Sequence, residues 1–365
     1  MESFHPGTKT LVFSILCAFL STKNGRNLGA EIFHKHIKLK LLFCLPLSLR
    51  CKIVLAVMNM PLKQSRMVMY LATRPWGAQW DAITKISKEG WSGHWIAPQA
   101  TSSSVEHTAK EADLIIYFIH GGGFRVGHSL MYTDSFMKII HHLKEKGMDA
   151  RIFSIDYGLC PEVQFDRSKQ DCMDGYRYLV KELQIDPKRI VLMGDSAGGN
   201  LVIHCCSEIR KSGVADQLEQ PAGNVQISPW VNIDTSETIR DGVVYEDCLN
   251  RRTFDRTDFG EYYGSVMKKC TTEMDKQKVL RDASISPMYG RFVGLCPTLV
   301  TYGSTEVFQD DVKRMIEVYK RDGVSVEVVK KKAPHIWIIC NMLSPNDRVW
   351  KEGCSVLADW CAKCV

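Results

Sequence analysis

The stretch that most constrains this chain is residues 189–201, which reads R-I-V-L-M-G-D-S-A-G-G-N-L. Residues 190–193 are a short apolar run, typical of a fully buried strand, and a helical pattern covers residues 200–209. Between them lies a G-x-S-x-G motif centred on Ser196. In a strand–turn–helix setting this motif forms a nucleophile elbow, in which a sharp turn exposes the serine hydroxyl at the top of the sheet. The alternative is a glycine-rich turn with an ordinary serine.

A second glycine motif follows the strand predicted at residues 113–119. It reads H-G-G-G and begins at His120. Three glycines directly after a buried strand leave backbone N–H groups uncovered by side chains, which is what an oxyanion hole requires. The alternative, a flexible loop, explains neither the three glycines nor the preceding histidine.

Strand and helix patterns alternate along the body of the chain, which predicts βαβ units, a mostly parallel central sheet and flanking helices, an α/β fold. We expect Ser168 to cap the helix that begins there. Residues 232–281 lack strand character but contain several aromatic side chains, so we predict a packed cap or lid insertion. The other predicted strands are residues 151–156, 224–227, 298–302 and 324–330, and the other predicted helices are residues 133–146, 310–320 and 348–361.

The order of candidate catalytic residues is serine, acid, histidine. Glu306 follows the strand at residues 298–302, and His335 follows the last strand. This is the order of the α/β-hydrolase triad, and catalytic groups collect at the carboxyl ends of such strands. Asp310 is the alternative acid, but it lies further along the next helix. We therefore predict Ser196, Glu306 and His335 as the triad.

The N-terminal part has a different composition from the body. The net charge of the chain is +6. Residues 1–75 carry eleven basic and two acidic side chains, a net charge of +9, which leaves −3 for residues 76–365. Two interrupted apolar stretches, residues 11–20 and 39–60, are too short or too broken for a span of roughly 20 apolar residues. We predict that residues 1–75 either cap the catalytic domain at residues 76–365 or lie on a membrane surface.

The cysteines indicate neither a disulfide framework nor a metal site. The chain has 14 scattered cysteines, which favours buried thiols in a reducing compartment. Its only C-x-x-C is the pair Cys361 and Cys364 near the C-terminus, which has no second pair to complete a zinc site. We interpret these two cysteines as part of a frayed tail.

The two glycine motifs resemble those of the hormone-sensitive-lipase-like group of α/β-hydrolases, which includes arylacetamide deacetylases, steryl acetyl hydrolases and many carboxylesterases. The resemblance covers about residues 90–340 and includes the acid and histidine loops. It differs in the acid, which is glutamate here where aspartate is commoner. The resemblance implies a helical cap, formed by the N-terminal segment and a segment before the acid loop. It also implies that Trp76, Trp80 and Trp95 lie near the pocket entrance.

These roles predict a serine carboxylesterase that acts on esters of hydrophobic alcohols or short-to-medium acyl chains through an acyl-enzyme. We expect the N–H groups of Gly121, Gly122 and Ala197 to bind the oxyanion. We expect no metal, organic cofactor or nucleic-acid partner. Amide or formamide deacylation on the same triad stays open, as do a non-catalytic receptor of this fold and a membrane-tethered scaffold. By analogy with anchored members of the group, the expected location is the endoplasmic reticulum membrane, with the cytoplasm as the alternative.

Overall fold

The computed structural model describes residues 39–98, 105–212, 218–236, 238–239, 245–255, 262–263, 267 and 269–365. These residues hold one eight-stranded sheet. Its strands are β1 (Ile83–Ser87), β2 (Ser92–Ile96), β3 (Leu114–Ile119), β4 (Ala150–Asp156), β5 (Ile190–Asp195), β6 (Gly223–Ile227), β7 (Thr298–Gly303) and β8 (Val326–Lys331). They lie in the order β1-β2-β4-β3-β5-β6-β7-β8.

The sheet is parallel from β4 through β8, and β2 is the one strand that runs the other way, antiparallel to both of its neighbours β1 and β4. Every residue of β3, β5 and β7 is buried. This burial explains why these strands read as continuous apolar runs, since a parallel sheet is covered on both faces. The predicted α/β-hydrolase architecture with a mostly parallel sheet is confirmed.

Helices cover the sheet between its strands. Within the described residues the α-helices are α1 (Leu39–Cys44), α2 (Leu47–Met58), α3 (Leu62–Thr73), α4 (Val105–Ala109), α5 (Thr133–Glu145), α6 (Phe165–Arg177), α7 (Ala197–Ser212), α8 (Arg251–Asp255), α9 (Glu273–Leu280), α10 (Gln309–Arg321) and α11 (Asp347–Cys364). Helices α5 and α11 contact one another, and α7 packs on α6 and on β5 and β6. Helix α7 begins immediately after Ser196, as an elbow requires.

Two local predictions are wrong. Helix α6 begins at Phe165 rather than at Ser168. The side chain of Ser168 does not cap the helix, because it is buried and its hydroxyl donates to the carbonyl oxygen of Gly158 at 2.6 Å. The C-terminal cysteines are not in a frayed tail. They lie in helix α11, and Cys361 is fully buried, since the apolar face of that helix packs onto the body.

The two segments predicted as cap contain helices where they are described. Helices α1 to α3 belong to the N-terminal segment, and α8 and α9 belong to residues 232–281. Within residues 232–281, Phe254, Tyr262 and Tyr263 are buried, which agrees with packing of that segment. The apolar run at residues 11–20 lies outside the described residues, as does part of the insertion. In the part of the chain that is described, each helix is too short or too polar to cross a bilayer.

Candidate active site

Ser196 occupies a strained turn at the carboxyl end of β5. Its φ is +52°, a left-handed conformation that costs a non-glycine residue energy and is found at functional sites. Its N–H donates to the carbonyl of Ile227 on β6 at 2.8 Å, and its carbonyl accepts from the N–H groups of Asn200 and Trp230. A Cβ at Gly198 would meet the carbonyl oxygen of Ile119. The turn is therefore held from both sides, and only glycine fits next to β3.

The H-G-G-G loop is tied to the elbow by a buried carboxylate. The N–H of Gly121 donates to Asp195 Oδ1 at 2.8 Å, and Tyr132 Oη donates to Asp195 Oδ2 at 2.7 Å. The other end of the loop is fixed by Tyr262, whose hydroxyl donates to the carbonyl of Gly123 at 3.0 Å. A Cβ at Gly121 would collide with Asp195. The loop and Ser196 therefore have one fixed relative position.

This arrangement bears on the prediction that the N–H of Gly121 binds an oxyanion. That N–H is already bonded to Asp195, and Gly121 is buried and is not among the residues that line the cavity. Gly122 and Gly123 are half-buried and line the cavity that contains Ser196. Both have positive φ, +108° and +62°, which only glycine adopts readily. Gly123, rather than Gly121, is thus the neighbour of Gly122 that faces the site.

His335 and Glu306 lie side by side beneath the cavity surface. Glu306 is fully buried, and His335 is 3% exposed. Glu306 Oε2 is 3.8 Å from His335 Nδ1, an ion-pair separation that is too long for a hydrogen bond. The same oxygen accepts from Ser228 Oγ at 2.7 Å and from the N–H of Gly303 at 2.9 Å. Neither ring nitrogen of His335 has a hydrogen-bond partner among the described residues.

The surrounding charges favour a protonated imidazole. Burial lowers the pKa of His335, but the carboxylates of Glu306, Asp247 and Asp195 raise it, and the net shift is upward from 6.5. Burial also raises the pKa of Asp195, to about 6, against the lowering effect of its hydrogen bonds to Tyr132 and Gly121. A proton gained by His335 is thus favoured by the carboxylates of Glu306, Asp247 and Asp195 that surround it.

Asp247 is a site residue that the sequence did not reveal. Its Oδ1 accepts from the N–H of His335 and its Oδ2 from the N–H of Val307, each at 2.9 Å. It thereby joins the acid loop to the histidine loop. Ser228 makes a second connection, because its hydroxyl oxygen accepts from the N–H of Ile336 at 3.0 Å while its O–H donates to Glu306. Asp247 lies in a segment without a periodic pattern, so only its position next to His335 identifies it.

Asp310 is not part of this cluster. Its carboxylate pairs with Lys313 at 2.8 Å on the first turn of α10. The structure therefore places Glu306, and not Asp310, next to the histidine. Among the described residues no group of three or more His, Cys, Asp or Glu side chains is arranged to hold a metal ion.

A cavity of about 730 Å³ lies over Ser196 and His335. Its walls are mostly apolar and come from α1 to α3, from the loop after His335 and from the insertion, including Val57, Leu249, Phe254 and Met342. None of the three tryptophans expected at the entrance belongs to its described lining. Trp95 is fully buried in β2, where its indole N–H donates to the hydroxyl of Tyr178 at 3.1 Å.

Two arginines fasten the N-terminal helices to the body. Arg50 of α2 is 1% exposed, and its guanidinium donates to the carbonyls of Leu45, Asn341, Met342, Ser344 and Pro345 at 2.8–3.3 Å. Arg66 of α3 forms a bidentate ion pair with Glu162, in which both hydrogen bonds are 2.8 Å long. The five carbonyls solvate the buried charge of Arg50 in place of water. Arg50 therefore couples α2 to the loop that follows His335.

Comparisons with known proteins agree with this fold. Residues 116–339 match the model of a family described as having the alpha/beta hydrolase fold. An esterase of Acinetobacter venetianus is 27% identical over 264 residues, which cover 70% of this chain and 73% of that protein. The arylacetamide deacetylase of Rattus norvegicus is 35% identical over 101 residues, 26% of this chain and 24% of that protein.

A solved structure of an esterase from the bacterial hormone-sensitive lipase family superimposes with a TM-score of 0.65 at 24% identity. The match covers 86% of this chain and 97% of that one. At this identity the likeness concerns the fold. Together with the family match and the two glycine motifs, it completes the assignment: the chain belongs to the α/β-hydrolase family and to its hormone-sensitive-lipase-like group.

Proposed function

We propose that this ester hydrolase cleaves carboxylic esters of hydrophobic alcohols or of short-to-medium acyl chains through an acyl-enzyme on Ser196. The observation that carries the proposal is the strained elbow of Ser196, which opens into the same cavity as His335. A turn with only a structural role does not require a serine at φ +52°. In a nucleophile elbow, this strained conformation exposes the serine hydroxyl.

His335 acts as the general base in this proposal. It takes the proton of Ser196 as the hydroxyl attacks the ester carbonyl, and later returns it to the leaving alcohol. Glu306 orients the ring and stabilises the imidazolium that forms. The 3.8 Å separation between Glu306 Oε2 and His335 Nδ1 must shorten by about 1 Å to make a hydrogen bond. Such bonds often tighten only when substrate binds.

The oxyanion of the tetrahedral intermediate is received by the N–H groups of Gly122, Gly123 and Ala197. Gly122 and Gly123 line the cavity, and Ala197 is the first residue of α7. Its N–H lies at a helix N-terminus, where developing negative charge is stabilised. Asp195 supports the arrangement indirectly, because it holds the preceding glycine in place.

The cavity favours a substrate with a sizeable apolar part. A volume of about 730 Å³ and walls of aliphatic and aromatic side chains are typical of sites that enclose a hydrophobic molecule with few polar contacts. The domain boundaries at residues 75 and 76 and the lid role of residues 232–281 stay predictions. So does an endoplasmic reticulum membrane location, which rests on the resemblance alone.

A panel of p-nitrophenyl esters of increasing acyl length, with the matching anilides, tests the proposal. We expect turnover of esters with a preference for apolar acyl groups, and loss of that turnover in Ser196→Ala. Faster cleavage of anilides than of esters would assign the site to amide deacylation. Saturable binding of the esters without turnover by the native protein would indicate a receptor and contradict the proposal.

A further inference from the structure

The N-terminal helices carry an unusual amount of exposed apolar surface. Among the described residues, eight of the fifteen large apolar side chains that are exposed lie between residues 41 and 71. Leu41 is 57% exposed, Met67 58% and Leu71 48%. Clustered exposed apolar groups mark interaction sites for proteins or membranes. We call the exposed side chains of α1, α2 and α3 the docking face.

Basic side chains are interleaved with these apolar ones. Leu49, Lys52 and Ile53 share one face of α2, since they are spaced three and four residues apart. Lys63 and Met67 are placed in the same way on α3. Lys52 and Lys63 are exposed, and neither forms an ion pair with a described residue.

Acidic side chains are missing from this part of the sequence, because residues 32–80 contain no Asp or Glu. The docking face therefore combines apolar groups with charge of one sign. That combination is complementary to a bilayer with anionic headgroups, which attracts the lysines and accepts the apolar side chains. A second copy of the chain would instead bring the same positive charges together.

The docking face is also the rim of the active-site cavity. Leu41, Leu45, Ile53 and Met60 are exposed, and the same four side chains line the cavity. The cavity over Ser196 therefore opens through the docking face. An apolar ester that left a bilayer at this rim would reach the nucleophile without crossing water.

We propose that the docking face binds an anionic lipid surface and that the substrate is a lipid-borne ester, which enters the cavity between α1 and α2. The proposed lipid binding rests only on the exposed side chains of the docking face. The statement about the substrate rests on the proposed function. Arg50 holds α2 on the loop after His335, so the rim keeps its place above the site.

Flotation of the full chain with vesicles tests the docking part. We expect binding to phosphatidylcholine vesicles that contain phosphatidylserine, weaker binding to pure phosphatidylcholine, and a decrease as salt screens the lysines. The double variant Leu49→Glu, Met67→Glu removes two apolar contacts outside the cavity lining. It should lower vesicle partitioning by roughly 100-fold, about tenfold for each buried side chain lost.

The matched control is the double variant Met274→Glu, Val293→Glu, which makes the same charge change at positions 79% and 61% exposed elsewhere on the body. It should bind vesicles like the native chain. A second test variant, Lys52→Gln with Lys63→Gln, should lose the preference for phosphatidylserine. Native protein that does not float, or an equal loss in the test and control variants, would overturn the docking face.

Hydrolysis assays distinguish a failure of this proposal from a failure of the proposed function. All variants should hydrolyse water-soluble p-nitrophenyl acetate at the native rate, whereas Leu49→Glu, Met67→Glu should lose most activity on a long-chain ester carried in vesicles. Flotation without any hydrolysis would refute the esterase and leave the docking face standing. Hydrolysis of both substrates without flotation would refute the docking face. A native dimer in sedimentation that the Leu49→Glu, Met67→Glu variant dissociates would assign the face to a second copy instead.

Discussion

The backbone N–H of Gly121 donates a 2.8 Å hydrogen bond to the carboxylate of Asp195, the residue immediately before Ser196. One side chain thereby fixes the distance between the elbow and the glycine loop. The second carboxylate oxygen is held by Tyr132 at 2.7 Å. The N–H of Gly121, which the sequence predicts as an oxyanion donor, is thus used in the bond to Asp195. Gly122 and Gly123 are the glycines of the loop that line the cavity.

Asp195→Asn should slow catalysis more than it weakens binding. An asparagine replaces one of the two carboxylate oxygens by an NH2 donor, and its amide oxygen is a weaker acceptor than a carboxylate, so the bonds from Gly121 and Tyr132 cannot both keep their present form and the glycine loop is anchored less firmly. We expect kcat to fall by roughly 10²–10³, the usual cost of one oxyanion donor, with little change in KM. Tyr132→Phe, which removes one bond and keeps the carboxylate, should cost less. An Asp195→Asn enzyme with native kcat would show that the bond does not position the loop.

Glu306→Gln should reduce kcat by up to about 10⁴, because a neutral amide neither orients the histidine nor stabilises its charge. Asp310→Asn should leave kcat almost unchanged, since Asp310 pairs with Lys313 at the helix surface. Steady-state kinetics of both folded variants decides between the acids. A larger loss in Asp310→Asn would mean that Glu306 is not the triad acid.

Asp247→Asn should have an intermediate effect. It keeps the size of the side chain but weakens the acceptors for the N–H groups of His335 and Val307. We expect kcat to drop by roughly tenfold, about 1.4 kcal/mol, together with a lower pKa of His335. Asp247 acts here as a positioning residue, so a fall in melting temperature without a shift in the pH profile would indicate a purely structural role.

Activity should be lost on the acid side at a pH above 6.5. His335 must be neutral to accept the proton of Ser196, and its folded-state pKa is raised above 6.5. The protonated, inactive form therefore persists to higher pH than in a free histidine, and kcat/KM should fall as the pH drops through that raised value. In Glu306→Gln the pKa of His335 should decrease, so the acid limb should move to lower pH. An unmoved limb would contradict the coupling between Glu306 and His335.

Arg50→Met should destabilise the fold and alter acyl-chain preference. The substitution leaves five carbonyls, those of residues 45, 341, 342, 344 and 345, without this donor, and the bond to Ser344 is fully buried. We expect a loss of about 3 kcal/mol or more in the free energy of unfolding, measured by urea denaturation. Arg50→Lys keeps the charge but not the planar fork, so it should recover only part of the loss. Unchanged selectivity among the p-nitrophenyl esters in both variants would show that Arg50 does not shape the cavity.

The sheet, and the loops that carry the candidate residues Ser196, Glu306 and His335, could be predicted from the sequence because their signals are local. The elbow at Ser196 and the loop at His120 are read from adjacent residues, and Glu306 and His335 each follow a strand. Such motifs have few alternative conformations once the flanking strands are buried.

The features that the sequence could not predict depend on distant contacts. Whether Gly121 or Gly123 faces the cavity is decided by a hydrogen bond across 74 residues to Asp195. Asp247 reaches His335 across 88 residues, from a segment without periodicity. Ser168 resembles a helix cap until the neighbouring loop at Gly158 takes its hydroxyl. No local pattern encodes these partners, because tertiary packing selects them.

Mass-spectrometric mapping of a fluorophosphonate label tests directly whether Ser196 is an activated nucleophile. We expect one labelled peptide, that of residues 189–201, with labelling abolished in Ser196→Ala. In Ser304→Ala, which removes a half-buried serine beside the acid loop, labelling should be native. Ester hydrolysis should disappear only in Ser196→Ala. Equal labelling of Ser196→Ala and the native protein, or a label found on another serine, would show that Ser196 is not the activated nucleophile.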